Sequence, residues 1–297
     1  MKLTTRIATR CLIALGALSL TFSCATVPPD KSTADWLVVL PDDVSYYLYL
    51  NTKNTRWLLQ NIVRKSPFYS ADLERVVDMT DRVYAGIKIR QGQSPEVNLV
   101  LIGSYPVFIN SAFGWNKEWE PVKGETPYWR HTKSGIEAAA PESYIILISH
   151  GRMPEMIRAF RGGTRAALKL KVVQELDQND LTLLFPLGID ESVSQDLGLP
   201  ARKKIIEQVW IGGRKKEEHY VFQGAFYLAP DVDSDSFRKL LQILMLSLLR
   251  QEHMTGIGER LSAMTYQAQD RLVTVSDFFL TKEEFESFAE SLLGGGL

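Results

Sequence analysis

Apolar positions recur along this chain with helical and strand-like rhythms, and each rhythm predicts an element. The densest apolar run after the N-terminus begins at Phe237. Leu240, Leu241, Ile243, Leu244, Met245, Leu246, Leu248 and Leu249 cover nearly the whole circumference of a helix, with Gln242 and Ser247 as polar interruptions before Arg250. Such a helix needs apolar neighbours on two sides. It is shorter than the ~20 apolar residues that cross a bilayer, so its second neighbour is either more protein or the acyl part of a lipid. The reading adopted is lipid.

Upstream, Trp36 opens an apolar stretch that leads into an aromatic and aliphatic strand at 44–50. Trp57, Leu58, Ile62 and Val63 follow with helical spacing, and Leu73, Val76, Val77 and Thr80 form a second helical stripe with Ser70 as its cap. Strands at 83–89 and 97–103 are joined by a short polar turn at 91–95, which makes them antiparallel. A short helix at 107–113 precedes strands at 128–140 and 144–149, and Met153, Met156, Ile157 and Phe160 make an i, i+3, i+4, i+7 face. The basic segment from Arg161 to Lys171 reads as a solvated connection.

From residue 181 the same order begins again. Residues 181–187 correspond to the strand at 44–50, and 193–199 to the first helix. Val209-Trp210-Ile211-Gly212 corresponds to Val83-Tyr84-Ala85-Gly86, and 220–227 to 97–105. The helix after Phe237 replaces the short helix at 107–113, residues 263–275 match the strand from Tyr128, and Phe285, Phe288, Ala289 and Leu292 match the Met153 face. Thr281-Lys282-Glu283-Glu284 is a capping box for that last helix, which the glycines at 294–296 end. Two copies of this order imply an α+β fold. One long, mostly antiparallel sheet is built from two similar halves, 36–165 and 166–297, with amphipathic helices on its faces.

Composition narrows the function. With 45% hydrophobic residues in 297 the chain buries a core, and 34 basic against 35 acidic residues leave no bias towards nucleic acid. Membrane attachment comes from the start instead. Lys2, Arg6 and Arg10 precede an apolar run at 11–22 that ends in Ser23-Cys24, a signal peptide (1–23) with a cysteine at its cleavage point. This resembles a bacterial lipobox, with Thr21 departing from the usual aliphatic residue as in the relaxed spirochaetal form, and the other reading is an ordinary secreted protein cut nearby. Cys11 leaves with the signal, so Cys24 is the one cysteine of the mature chain and no internal disulfide forms. Acylation of Cys24 by palmitate-type chains would anchor the protein stably. Ala25 is not the aspartate that retains many Gram-negative lipoproteins in the inner membrane, which points to the inner leaflet of an outer membrane. Residues 24–35 read as a tether.

Catalytic patterns are missing. His131, His150, His219 and His253 are scattered, and neither a Gly-x-Ser-x-Gly elbow nor a phosphate-binding glycine loop occurs. Gly256-Ile257-Gly258 reads as a loop, and Glu283-Glu284 and Asp233 to Asp235 as acids at helix starts. The expectation is a non-enzymatic protein without metal or cofactor. What remains is amphipathic surface. Each apolar face can serve as core against the sheet, but a helix apolar all round keeps a side to line a lipid cavity, press on a bilayer, or form a homodimer contact. Leu241, Leu244, Leu248, Met156 and Phe160 are the candidate lipid-binding wall. Trp115 and Trp119 are the candidate membrane-interface residues, with turn packing as their other role.

Several short motifs bear on identity: Asp81-Arg82 followed by Val83-Tyr84, Gly103-Ser104-Tyr105-Pro106, Gly114-Trp115 before an aromatic strand at Tyr128-Trp129, and Ala139-Ala140-Pro141. Over 44–160 the chain resembles the spirochaetal outer-membrane-associated lipoprotein with amphipathic helices, and beyond that mainly in element order. The resemblance implies an α/β/α fold, anchoring on the periplasmic face of the outer membrane, helices that enter bilayers, and an apolar cavity opened by moving them apart. It further implies a carrier of membrane lipids or glycolipids. The alternative is a structural or adaptor lipoprotein whose apolar helices dimerise or dock a partner.

Overall fold

The computed structural model describes residues 33–65, 71–90, 95–162, 178–188, 205–251 and 254–287. Its elements in chain order are α1 (Thr33–Leu37), β1 (Tyr46–Asn51), α2 (Thr52–Lys65), α3 (Ala71–Asp78), β2 (Thr80–Lys88), β3 (Glu96–Gly103), α4 (Ile109–Ala112) with a 3-10 turn (Phe113–Trp115), and β4 (Trp119–Val122). Then come β5 (Tyr128–His131), β6 (Glu137–Glu142), β7 (Ile145–Ser149), α5 (Met153–Phe160), β8 (Leu181–Phe185), β9 (Ile206–Lys216) and β10 (His219–Leu228). The chain continues through α6 (Ser234–Gln251), α7 (Ile257–Ala263), β11 (Thr265–Gln269) and β12 (Leu272–Thr281), and residues 282–287 are helical.

The strands form one open 12-stranded sheet in the order β11-β12-β10-β9-β8-β1-β2-β3-β7-β6-β5-β4, and every described pairing is antiparallel. Strands β1 and β8 meet at its middle, and the outward order from β1 (β2, β3, β7, β6) repeats from β8 (β9, β10, β12, β11), with β4 and β5 as an extra hairpin. The register repeats as well. From Tyr49 the pairing runs to Tyr84, Val100 and Leu147, and from Leu184 to Trp210, Ala225 and Thr274. The Tyr84/Trp210 correspondence read from the sequence is therefore a spatial one. The boundary between the halves lies outside the described residues.

Helices cover both faces. Strand β1 carries Tyr47 and Tyr49 into one core and Leu48 and Leu50 into another, which explains its unbroken apolar run. On the first face α1 and α5 pack Trp36, Leu37, Met153, Met156 and Ile157 against Tyr84, Val100, Leu147 and Trp210. On the second, α2 and α3 bring Leu58 and Val76 to Leu50, Val83, Leu101 and Ile146. Further along that second face α6 covers Val209, Phe226, Val273 and Val275. The capping box forms as expected, Thr281 N–H donating to the Glu284 carboxylate (2.9 Å) and Glu284 N–H to Thr281 Oγ1 (3.2 Å).

The structure departs from the sequence reading in several places. Trp36 belongs to a short helix rather than an extended stretch. The expected strand at 128–140 is two strands, because the turn before Gly135 (φ 70°) folds it back. Gly256 (φ 63°) starts helix α7 rather than a plain loop. The expected helix at 107–113 shrinks to one turn, and β4 was not anticipated. The Ser70 cap, the turn at 91–94, the helix at 193–199, most of the basic segment, and Phe288, Ala289, Leu292 and the final glycines lie outside the described residues.

Glycine is sterically required at position 103. A Cβ on Gly103 would stand 2.0 Å from the Met79 carbonyl oxygen, where β3 ends against the α3–β2 junction. Gly103→Ala should lower unfolding stability by about 2 kcal/mol, read as a shift in the urea midpoint at unchanged slope. An unchanged midpoint would show that the junction relaxes freely.

Candidate membrane and lipid site

Helix α6 begins where Asp233 accepts the Ser236 N–H at 2.8 Å, and the Ser236 side chain together with that N–H holds its carboxyl below the usual carboxylate range. From there Phe237, Leu241 and Leu249 fall at multiples of four residues and form a buried seam. The floor beneath Phe237 and Leu241 is Ile206, Val209, Leu228, Met264, Val273 and Val275, with the Phe226 and Phe237 rings 5.8 Å apart. The remaining apolar residues flank the seam. Leu240, Leu244 and Met245 pack partly on that core, Leu246 and Leu248 are half-buried, and Ile243 is 63% exposed. A helix apolar on all sides is thus covered on one.

The sequence-derived wall divides into two groups. Leu241 is buried and Leu244 half-buried over the core under α6, and Leu248 is half-buried on the same helix. Met156 is fully buried (0% exposed) and Phe160 half-buried on α5, which lies against β6 and β7 on the other face. Six strands separate β12 from β7 in the sheet order, so α5 and α6 do not enclose one space. Helical periodicity shows that a face is apolar but not which side of a sheet it meets, and that is why the five residues looked equivalent.

A second apolar surface sits between β3 and β4. Tyr105 is buried with its hydroxyl 2.9 Å from Thr80 Oγ1, which fixes where the chain leaves the sheet. Pro106 then starts a turn, its carbonyl accepting the Ile109 N–H at 2.8 Å. Ile109 and Phe113, one helical turn apart, pack onto the sheet core, and this turns Val107 (68% exposed), Phe108 (44%) and Trp115 (71%) outward. The Phe108 and Trp115 rings stack at 5.5 Å. A Cβ on Gly114 would lie 2.7 Å from the Trp129 ring, so glycine is needed for the 3-10 turn to close over that indole.

Trp115 therefore occupies the exposed position an interface residue needs. Trp119 does not share it: it lies in β4, half-buried, its ring 5.1 Å from Phe113 and 5.3 Å from His131. Cys24 lies outside the described residues. Sequence reasoning missed Val107 and Phe108 because they were counted as the first turn of a helix at 107–113, whereas the helix begins only at Ile109.

Other chemistry is sparse. Among the described residues no three His, Cys, Asp or Glu side chains gather as a metal site, and no helix is long and apolar enough to cross a membrane. A shallow groove of about 390 Å³ at the β11–β12 turn is lined by Tyr227, Leu228, Gln269, Asp270, Arg271 and Leu272, and none of the expected lipid-binding residues touches it.

The family model "Outer membrane-associated lipoprotein TP0453" matches residues 31–182. Among solved structures, crystal form I of TP0453 is similar with a TM-score of 0.61 at 17% identity, covering 91% of this chain and 98% of that one. Crystal form III gives 0.60 at 17% identity, covering 90% and 99%. At that identity the structures show the fold alone. No curated protein matches the sequence.

Proposed function

Because the chain belongs to the outer membrane-associated lipoprotein TP0453 family, we propose that it carries lipids or glycolipids at the periplasmic face of the outer membrane, held there by acyl chains on Cys24. It does so without enzymatic chemistry. The observation that supports this is the one-sided packing of α6: Phe237 and Leu241 are seated fully on an apolar floor, while Leu244 and Met245 are half-buried and Ile243 is exposed. Lifting the helix would expose that floor together with Leu244, Met245 and Leu248. In water this costs roughly 25 cal/mol for each Å² uncovered, and at a bilayer the same surface meets lipid. Opening is thereby confined to the membrane, where a ligand can be exchanged.

Trp115, Phe108 and Val107 supply the contact that brings the protein to the lipid surface, as aromatic side chains do at the headgroup level. A transfer assay tests the carrier step. The mature chain should move labelled phospholipid from donor to acceptor vesicles, and Leu244→Gln with Leu248→Gln should slow transfer about tenfold, the effect of ~1.4 kcal/mol, while vesicle binding stays unchanged. Transfer at the wild-type rate in that double variant would sink the reading.

A further inference from the structure

The two edges of the sheet are treated differently. Edge strand β4 reads Trp119-Glu120-Pro121-Val122, with Lys117 and Glu118 before it and Lys123 after, so a proline and charges blunt it. Edge strand β11 reads Thr265-Tyr266-Gln267-Ala268-Gln269, with neither charge nor proline, and among the described residues it pairs only with β12. A soluble sheet seldom leaves such an edge bare.

The register identifies the open groups. Gln269 pairs with Leu272 across the two-residue turn Asp270-Arg271, with Asp270 at φ 50°. In such a turn the flanking pair is hydrogen-bonded, and antiparallel bonding then alternates along the strand. Gln269, Gln267 and Thr265 therefore turn their backbone groups to Leu272, Thr274 and Ser276. Tyr266 and Ala268 turn theirs outward.

We propose that β11 is a pairing edge for a second copy of this chain, joined antiparallel about a two-fold axis through Gln267. In that register the outward groups of Tyr266 meet those of Ala268 in the other copy, giving four backbone hydrogen bonds. The large Tyr266 side chain lies opposite the small Ala268, and Thr265 lies opposite Gln269. No like charges face each other. The same operation on β4 would oppose Glu120 or Pro121 to itself, which is why the partner fits one edge and not the other. Strand pairing of this length buries less than the ~1,200 Å² of a stable complex, so the dimer is weak in solution. Two copies anchored in one membrane are held at an effective concentration on the order of millimolar, and there it forms.

Cysteine scanning reads this register. In the lipidated mature chain the Cys24 sulfur is held in a thioether and the anchor is kept, so each introduced cysteine is the one free thiol. Cα atoms of a non-hydrogen-bonded antiparallel pair stand ~4.5 Å apart, within reach of a disulfide. On vesicles under mild oxidation, Gln267→Cys should cross-link to itself, whereas Thr265→Cys and Gln269→Cys should each remain monomeric and cross-link when mixed. All three positions are exposed, so circular dichroism should match the parent. Absence of these cross-links, equal cross-linking of all three alone, or cross-linking of Ile243→Cys in their place overturns the proposal, the last pointing to a contact through α6.

Discussion

Serine at Val107, Phe108 and Trp115 together should lower partitioning of the unlipidated mature chain onto phospholipid vesicles by about a hundredfold. A fully buried apolar side chain contributes ~1.5–3 kcal/mol, and these three begin 68%, 44% and 71% exposed. Their further burial in the interface amounts to roughly 3 kcal/mol, and each 1.4 kcal/mol is tenfold. Stability should hardly move, because the side chains that seat this turn are Ile109 and Phe113, and substitution of exposed residues usually shifts stability by no more than ~0.5 kcal/mol. Vesicle flotation measures the effect. Unchanged flotation would remove the patch from the membrane contact and leave α6 as the candidate.

The largest expected effect on stability comes from Arg260. It is 5% exposed, and its Nη2 donates to both carboxylate oxygens of Glu284 at 2.8 and 2.9 Å. It also donates to the Thr255 and Phe279 carbonyls and lies 4.8 Å from the Phe279 ring centroid. Glu284 is at once the acceptor in the capping box, so one side chain ties α7, β12 and the final helix together. Arg260→Ala should cost about 3 kcal/mol, because it takes the counter-charge from half-buried Glu284 and the donors from two carbonyls. Arg260→Leu with Glu284→Gln, which removes both charges, should recover part of that loss. Denaturant midpoints of the two variants decide it, and a loss under ~1 kcal/mol for Arg260→Ala would mean that water replaces the guanidinium.

The sheet was legible in the sequence because strands covered on both faces carry unbroken apolar runs, and because the second half repeats the aromatic-x-Gly spacing of Tyr84 and Gly86 at Trp210 and Gly212. Two residues apart on one strand, such pairs share a face, so their repetition carried the register. Side assignment was not legible: Met156 and Leu241 look alike as helical stripes, yet one packs under α5 and the other under α6 across the sheet. Nor was Arg260, whose partner Glu284 is 24 residues away and lies on a different helix, beyond β12. The outward turn of Phe108 depends on a helix that starts two residues later than its apolar spacing suggests.

The carrier reading is tested most directly by native mass spectrometry of the mature protein released gently from its membrane. The account predicts a population heavier than the bare lipoprotein by the mass of one lipid or glycolipid, and loss of that adduct in the variant carrying Leu244→Gln and Leu248→Gln. A single species at the bare lipoprotein mass, with amide exchange in α6 equally slow with and without vesicles, would contradict it.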